Sequence, residues 1–387
     1  MFSAVTAEGQ LVQLAGRYSN QKAEELRQNR WYCPVCGGEL DVKLGPQKQP
    51  HFAHKKSRLC PGEPEPESEY HLEGKRQLFL WLKAQRLTAN LEPYVKSAGQ
   101  RPDLTAINGE ESLAFEFQCA NLSAESLYSR TEGLKKAGLR PFWIIGAKRL
   151  KRLSAHFFQL SAFHWQFFEV NSFSSILFYC PEARSFYKLH GIIPFYTGYS
   201  YAEMKIIPLH KATLPDICLP EGSRNVTLST WKRAVSGFRR KNSRFLSKEA
   251  RLIQRLFYER HQIAFSLLPS EVFVPAPAGF MFSSPVFVWQ GHLYLRFMEL
   301  SEKGAPIRLA DMVRFCRRKI FDRDIRLRFE YNEEHISLAI KQYADFLCLQ
   351  DFLRETENEV YMLTSPQKKL FRTAEGLLQR DRLFFGE

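Results

Sequence analysis

The sequence of 387 residues is 44% hydrophobic, which provides buried cores for about two or three domains and excludes a chain that is disordered throughout. Its formal charge of +14 at pH 7 favours a polyanionic partner, because Lys and Arg side chains neutralise phosphates. The eight cysteines form one close pair, one near neighbour and scattered single residues. This distribution excludes a disulfide scaffold.

The N-terminal segment, MFSAVTAEGQLVQL, has neither the basic start nor the long apolar run of a secretory signal. No later stretch is long and apolar enough to span a bilayer as a helix. We therefore expect a cytoplasmic protein with no membrane span and with reduced thiols.

A Cys-x-x-Cys motif, formed by Cys33 and Cys36 and followed by two glycines, predicts a zinc knuckle. The glycines let the loop fold back so that both thiolates reach one ion. The other ligands must come from His51, His54 and Cys60, because a tetrahedral site needs four. We expect Cys33, Cys36, His54 and Cys60 to bind zinc, with His51 as the substitute ligand. The alternative is a redox dithiol beside a His-rich loop.

A proline-rich acidic linker over residues 57–67, with the sequence PGEPEPE, cannot be helical through its length. It separates an N-terminal module, 1–62, from a second domain, 68–150. We assign 151–387 to an aromatic and basic C-terminal region with room for two subdomains.

In the second domain, apolar residues recur at helical spacing from Ser68 onward, and a polar face lies opposite them. By itself that polar face is typical of a solvated helix. The stretches LEPYVKS, RPDLTAI and SLAFEFQCA then predict three short strands, the last two joined by the Asn-Gly turn at 108–109. A helix over 123–138, capped by Ser123, and a buried strand over 140–146 complete a mixed sheet.

Two acids and an amide occupy the last two of these three strands. Asp103 lies on the first, and Glu116 and Gln118 lie on the second. In an extended strand, Glu116 and Gln118 project from one face, and Phe115 and Phe117 project from the other. Carboxylates that converge from adjacent strands can bind a hard divalent cation. These residues are therefore the candidate active centre.

The C-x-x-C and HFAH segments, the ESEYHLEGK helix and the RPD, EFQ and WIIG strands, in this order and spacing, resemble the competence protein CoiA family. The resemblance covers about residues 1–150 closely, and the remainder by length and general character. It implies a cytoplasmic factor of natural transformation that is needed for incoming single-stranded DNA to be recombined. For the middle region it implies a restriction-endonuclease-like PD-(D/E)XK fold.

The resemblance also implies roles for individual residues. Asp103 matches the metal-binding aspartate of that nuclease fold, and Glu116 matches the acid of its (D/E)-x-K strand. Gln118 stands where the motif has lysine. Glu69 matches the acid of the first helix, with Glu73 as the alternative. The second candidates, for phosphate contacts, are His71, Lys75 and Arg130.

The implied chemistry is hydrolysis of phosphodiesters with Mg²⁺ or Mn²⁺, by an endonuclease or exonuclease. Glutamine at position 118 brings no charge and cannot act as a general base. The alternative is therefore a non-catalytic adaptor that binds single-stranded or branched DNA and recruits or loads a RecA-type recombinase. A zinc-containing protein-interaction scaffold is a third reading of the same features.

The C-terminal region contains a segment, WKRAVSGFRRKNSRFLSKEARLIQR, that interleaves cations with aromatic rings. Proteins that bind single strands use cations for the backbone and rings for the bases, although a solvated helix face has the same pattern. The expected DNA contacts are Lys232, Arg233, Arg239, Arg240, Lys241 and Arg244.

Elsewhere in this region, residues 155–179 predict a second sheet or an aromatic interface. Residues 270–300 alternate as strands do, with a turn at 290–291, and helical periodicity follows over 310–321 and 334–355. No Walker loop is present, which excludes ATP-driven strand exchange by the chain itself. The predicted fold class is a multidomain α+β chain with a zinc-knuckle module, a restriction-endonuclease-like mixed sheet flanked by helices, and a C-terminal mixed α/β region.

Overall fold

A computed structural model of the protein describes residues 1–14, 16, 18–44, 50–55, 60, 68–221, 226–240, 246–299, 305–364 and 371–386. The predicted linker lies outside these residues except for Cys60, and so do Lys241 and Arg244. The chain forms two compact units. The first unit contains Met1–Lys151, Ser161–His190 and Met204–Glu221, and the second contains Arg152–Leu160, Gly191–Glu203 and Gly222–Glu387.

The N-terminal part of the first unit is a five-stranded antiparallel sheet with the order β2-β1-β3-β4-β5. Its strands are β1 (Ser3–Val5), β2 (Leu11–Gln13), β3 (Trp31–Tyr32), β4 (Glu39–Lys43) and β5 (His51–His54). Helix α1 (Asn20–Gln28) connects β2 to β3, and the Ser19 side chain caps it by accepting a hydrogen bond from the Lys22 backbone N–H.

The remainder of the first unit is built on a larger mixed sheet. The next strands along the chain are β6 (Thr88–Leu91), β7 (Leu104–Asn108), β8 (Glu111–Gln118), β9 (Arg140–Gly146), β10 (Phe157–Phe158), β11 (Ser175–Cys180), β12 (Ser185–Tyr196) and β13 (Tyr199–Pro208). The helices among them are α2 (Glu69–Ala84), α3 (Ala124–Lys136), α4 (Ala162–Val170) and α5 (Leu214–Cys218).

In the first unit the strand order is β13-β12-β11-β9-β8-β7-β6. Strand β9 runs parallel to both β8 and β11, whereas the β6-β7, β7-β8 and β11-β12 pairs are antiparallel. The predicted mixed sheet flanked by helices is therefore confirmed. The sheet continues beyond residue 150, where the sequence places a domain boundary.

Helix α2 lies close against this sheet because it carries a glycine where it crosses β8. A Cβ atom added at Gly74 would lie 2.0 Å from Cε1 of Phe117, so a larger residue would push the helix outward. Ser68 caps the helix by accepting a hydrogen bond from the His71 backbone N–H. The close approach holds the first turns of α2 next to the ends of β7 and β8.

The second unit is mainly helical and has its own buried core. Its helices are α6 (Leu228–Arg240), α7 (Lys248–His261), α8 (Val286–Leu293), α9 (Leu309–Phe321), α10 (Glu333–Leu349) and α11 (Ala374–Phe385). The strands β14 (Ile307–Arg308), β15 (Leu353–Glu357) and β16 (Val360–Leu363) form a small sheet with the order β14-β16-β15. Strands β12 and β13 extend into this unit, where β13 pairs with β10.

The predicted strands over 270–300 are wrong. This segment forms short 3₁₀ turns, then α8, then a π-helical turn over Tyr294–Met298. All eight residues of α8 are buried, so the helix has no exposed polar face and its sequence has no helical period to reveal it. The predicted helix over 310–321 is confirmed by α9, whereas the one over 334–355 ends at Leu349 and β15 follows.

Within the described ranges, no helix has both the length and the apolar composition that crossing a bilayer requires.

Candidate active site and metal centre

Asp103 and Glu116 lie side by side where β7 begins and β8 ends. Leu104 pairs with Phe115 in the antiparallel ladder, and the next residues outward are Asp103 and Glu116, which therefore face each other across the two strands. The Phe117 backbone N–H donates a hydrogen bond of 2.8 Å to Oδ2 of Asp103. The structure thus brings together the two acids that the sequence singles out.

The side chains of β8 alternate as its sequence predicts. Phe115 stacks on Phe142 with ring centroids 5.6 Å apart, and Phe117 stacks on Tyr70 of α2 at 6.1 Å. Gln118 is half-buried, and its Nε2 donates to the Ala120 carbonyl at 3.0 Å. The aromatic face fixes the strand, so the orientation of Glu116 is set by the packing of its neighbours.

Arg130 covers the Glu116 carboxylate. Its Nη2 lies 2.6 Å from Oε1 and 2.7 Å from Oε2 of Glu116, and its guanidinium lies over the ring of Trp143 at 5.7 Å. The sequence predicts Arg130 as a phosphate contact, but in the structure it is the counter-ion of Glu116. A guanidinium thus occupies the oxygens that a divalent ion would use.

Asp103 also has basic neighbours. His71 Nε2 lies 3.4 Å from its Oδ2, and Lys75 Nζ lies 3.7 Å from its Oδ1. Lys75 is only 1% exposed and forms a closer ion pair with Glu92. The predicted phosphate contact at Lys75 is therefore corrected, because a buried ammonium that is paired with two acids cannot reach a phosphate in this arrangement.

Glu92 is a site residue that sequence reasoning missed. Its side chain is buried, and its Oε2 accepts hydrogen bonds from the backbone N–H groups of Phe2 at 2.6 Å and Ser3 at 3.3 Å. It thereby joins the N-terminal strand to Lys75 and, through Lys75, to Asp103. No local pattern indicates this, since Glu92 lies 90 and 89 positions from Phe2 and Ser3 and 17 positions from Lys75.

The two acids differ in their electrostatic environment. Burial acts to raise the pKa of Asp103, but the charges of His71 and Lys75, with hydrogen bonds from His71 and Phe117, hold that pKa well below its usual range. Burial raises the pKa of Glu116, and the Asp103 charge adds to this effect, whereas Arg130 opposes it. Asp103 therefore stays ionised, and Glu116 is the acid that protonates first.

The two acids predicted on α2 do not complete a ligand set. Glu69 is exposed in the first turn, and Glu73 accepts hydrogen bonds from Arg76 and Gln77 of its own helix. Among the residues that the structure describes, the only group of three or more acids, histidines and cysteines with its ligand atoms within 4.8 Å of one another lies in the N-terminal module.

That group consists of Cys33, Cys36, His54 and Cys60. The Cys33 and Cys60 sulfurs are 3.8 Å apart, and Cys36 Sγ lies 3.4 Å from Nε2 of His54. The set is the one the sequence predicts, and His51, the substitute, does not belong to it. Three thiols and one imidazole fit a closed tetrahedral zinc site.

The loop around the first two cysteines has the shape that such a site requires. Gly37 has φ +65°, a left-handed conformation that turns the chain back after Cys36. The backbone N–H groups of Val35 and Gly38 each donate to a cysteine sulfur, Cys33 and Cys36 respectively, at 3.4 Å. These donors stabilise negative charge on the sulfurs.

The predicted DNA contacts on α6 separate into two classes. Arg233 and Arg240 are exposed and Lys232 is half-buried. Arg239 is buried and forms a two-point ion pair with Asp381, with nitrogen to oxygen distances of 2.6 and 2.9 Å. The prediction for Arg239 is therefore wrong, because its charge is used inside the second unit.

The rings predicted to meet bases in this segment are also mostly internal. Trp231 is fully buried and donates from Nε1 to the Phe273 carbonyl, and Phe238 is half-buried against the core. A helix that alternates cations and rings can place the rings inward, and here the ring of Trp231 faces the core.

Comparison with known proteins assigns the chain to a family. Three family models match it, namely the N-terminal, nuclease-like and C-terminal domains of competence protein CoiA, over residues 15–63, 67–222 and 226–377. The chain is 49% identical over 374 residues to the competence protein CoiA of Bacillus subtilis (strain 168). The aligned residues make up 97% of this chain and 99% of that relative. No solved structure matches it significantly. The chain therefore belongs to the competence protein CoiA family.

Proposed function

We propose that this protein acts in the cytoplasm on incoming single-stranded DNA during natural transformation and promotes its recombination, and that Asp103 and Glu116 form a metal site for phosphodiester hydrolysis. One observation carries the proposal: two carboxylates face each other across adjacent strands of a nuclease-like domain. The name of the Bacillus subtilis relative, a competence protein, supports the setting.

The donor set fits a hard divalent cation. Carboxylate oxygens from Asp103 and Glu116 are the ligands that Mg²⁺ and Mn²⁺ prefer, and such an ion, when bound, supplies charge that polarises a phosphate. Gln118 would orient water. Arg130 must leave Glu116 for the ion to bind, because both would use the same oxygens. A released Arg130, whose side chain is already 33% exposed, could contact a phosphate.

A second candidate function is that of a non-catalytic adaptor that binds DNA and recruits or loads a RecA-type recombinase. Two observations favour it. The cations Lys75 and Arg130 already lie against Asp103 and Glu116 in the structure. Gln118 also lacks the charge that a catalytic lysine would place on the attacking side.

Assays with labelled single-stranded, duplex and branched DNA, in Mg²⁺ or Mn²⁺ against a chelator, separate the two functions. Hydrolysis predicts metal-dependent cleavage that falls by about a hundredfold or more in Asp103→Ala and Glu116→Ala. Glu111→Ala is the matched control, since Glu111 is an exposed acid on the same strand that pairs with Arg140.

Cleavage that survives in both variants would refute hydrolysis at this site. Salt-sensitive DNA binding without cleavage would support the adaptor. If the wild-type protein binds no DNA at low salt, both functions are refuted and the zinc-containing scaffold is the remaining candidate.

We also propose that Cys33, Cys36, His54 and Cys60 bind a structural zinc ion. Metal analysis should find about one zinc per chain in the wild type and none in Cys33→Ser, because three remaining ligands leave the site open. Cys348→Ser is the control, since Cys348 is a half-buried thiol on α10 outside the cluster. A wild-type protein that is fully folded without zinc would contradict the proposal.

A further inference from the structure

A cavity of about 780 Å³ opens in the second unit beside α6. This is the size of a typical small-ligand site. Aromatic rings and one cation are prominent in its lining: Phe157, Tyr196, Tyr199, Phe238, Phe287 and Arg233. Neither the nuclease-like site nor the cysteine cluster includes any of these residues.

Three of the rings form a parallel stack. Phe157 and Tyr199 have ring centroids 4.4 Å apart at an angle of 13°, and Tyr199 and Tyr196 have centroids 4.8 Å apart at 12°. The stack runs from Phe157, which is fully buried, to Tyr196, which is half-buried at the end of β12. A flat ring that enters the cavity can extend such a stack.

The charge of this surface is positive. A second hollow of about 660 Å³ shares Phe238 and Leu246 with the cavity, so the two adjoin. The described residues that line the two hollows include Arg233, Arg251 and Arg255 and no acid. Glu259 approaches Arg255 at 3.9 Å, but both of these side chains are exposed and the pair is weak.

The hydroxyl groups at the cavity add no negative charge. Burial raises the pKa of both Tyr196 and Tyr199, so each phenol stays neutral near pH 7 and does not repel a phosphate. A neutral aromatic stack beside arginines suits a ligand that has both flat rings and negative charge.

We propose that this cavity binds a nucleobase of a single-stranded polynucleotide, with the base stacked on Tyr196, Arg233 on the adjacent phosphate, and the second hollow taking the next nucleotides along the strand. Bases in a duplex are stacked on each other and cannot enter such a cavity, whereas unpaired bases can. Because arginines and no acids are among the described residues that line the two hollows, a polyanion is favoured over an apolar peptide as the ligand. The inference shares with the proposed function the premise that the ligand is DNA, but it places a binding site in the second unit.

The test compares two oligomers that carry the same phosphates, oligo(dT) and an abasic oligomer of equal length, without added Mg²⁺ or Mn²⁺ so that no metal-dependent cleavage occurs. Wild-type protein should bind oligo(dT) more tightly. Tyr196→Ala should weaken binding of oligo(dT) by about tenfold and leave the abasic oligomer unchanged, as expected for one lost stacking contact. Arg233→Gln should weaken binding of both oligomers. It should also reduce the slope of log affinity against log salt concentration by about the amount that one phosphate contact contributes.

Tyr331→Ala and Arg317→Gln are the matched controls. Tyr331 is exposed, and Arg317 lies 5.8 Å from the centre of its ring, so the pair repeats the chemistry outside both hollows. Both variants should bind the two oligomers as the wild type does. Thermal unfolding checks that every variant is folded.

Equal affinity of the wild type for oligo(dT) and the abasic oligomer would overturn the inference, and so would a Tyr196→Ala variant that behaves like Tyr331→Ala. Oligo(dU) and oligo(rU) distinguish DNA from RNA, and tighter binding of oligo(rU) would overturn the assignment to DNA. Base-dependent binding by a protein that does not cleave DNA would support this inference while refuting hydrolysis. Metal-dependent cleavage by a protein that binds oligo(dT) and the abasic oligomer equally would support hydrolysis and refute this inference.

Discussion

Replacing Arg239 with alanine should lower the free energy of unfolding of the second unit by about 3 to 5 kcal/mol, the usual cost of leaving a buried charge without its partner. Arg239 and Asp381 have side chains that are 2% and 1% exposed. Besides its two contacts to Asp381, the guanidinium donates to the Ser266 and Leu268 carbonyls at 3.0 and 2.7 Å. Without it, Asp381 keeps only the Ser270 hydroxyl among these partners.

Arg240→Ala is the matched control because Arg240 is the next residue on α6 and is exposed. Its unfolding free energy should stay within about 0.5 kcal/mol of the wild type. Urea unfolding of the three proteins measures the difference. Equal stability of Arg239→Ala and Arg240→Ala would show that the buried ion pair does not hold α6 to α11.

Replacing Arg130 with glutamine should lower the free energy of unfolding of the first unit by about 3 kcal/mol near pH 8. The Glu116 carboxylate, which is 3% exposed, would then lack its counter-ion. Burial already raises the pKa of Glu116 above its usual value, and loss of Arg130 should raise it further.

The raised pKa of Glu116 determines how the free energy of unfolding depends on pH. When the pKa of a carboxyl is higher in the folded state than in the unfolded state, the folded state binds the proton more tightly. Stability is then lost as the pH rises through the folded pKa. The loss in free energy of unfolding that Arg130→Gln causes relative to the wild type should therefore become smaller as the pH falls from about 8 to about 5.

Chemical unfolding across this pH range measures the effect. The double variant Glu116→Gln, Arg130→Gln and the single variant Glu116→Gln both lack a titrating carboxyl at this position, so the stability difference between these two variants should lack the contribution that Glu116 makes to the pH dependence. A deficit in Arg130→Gln that does not change with pH would contradict the role of Glu116.

Features that depend on neighbours in the sequence are the ones the sequence predicts. Ser123, which caps α3, lies three positions before Ser126, whose backbone N–H donates to the Ser123 side chain. The alternation of β8 follows from strand geometry alone. The cluster of Cys33, Cys36, His54 and Cys60 is also predicted, because zinc chemistry limits the choice to few residue types.

Features that depend on distant partners are not predictable in this way. Arg239 reads as a surface cation because the pattern of α6 cannot reveal Asp381, which lies 142 positions away. The sequence does not predict the role of Glu92 for the same reason, since its contacts to Phe2 and Ser3 span 90 and 89 positions. The apolar run of α8 is equally compatible with a strand and a buried helix, and only the packing around it decides.

Divalent-metal binding tests the role of Asp103 and Glu116 most directly. Titration of Mn²⁺ in the presence of single-stranded DNA should show about one additional ion per wild-type chain, and none in the double variant Asp103→Asn, Glu116→Gln. Glu111→Gln, on the same strand, should bind Mn²⁺ as the wild type does. Equal Mn²⁺ binding by all three proteins, or none by the wild type, would contradict a metal site at Asp103 and Glu116.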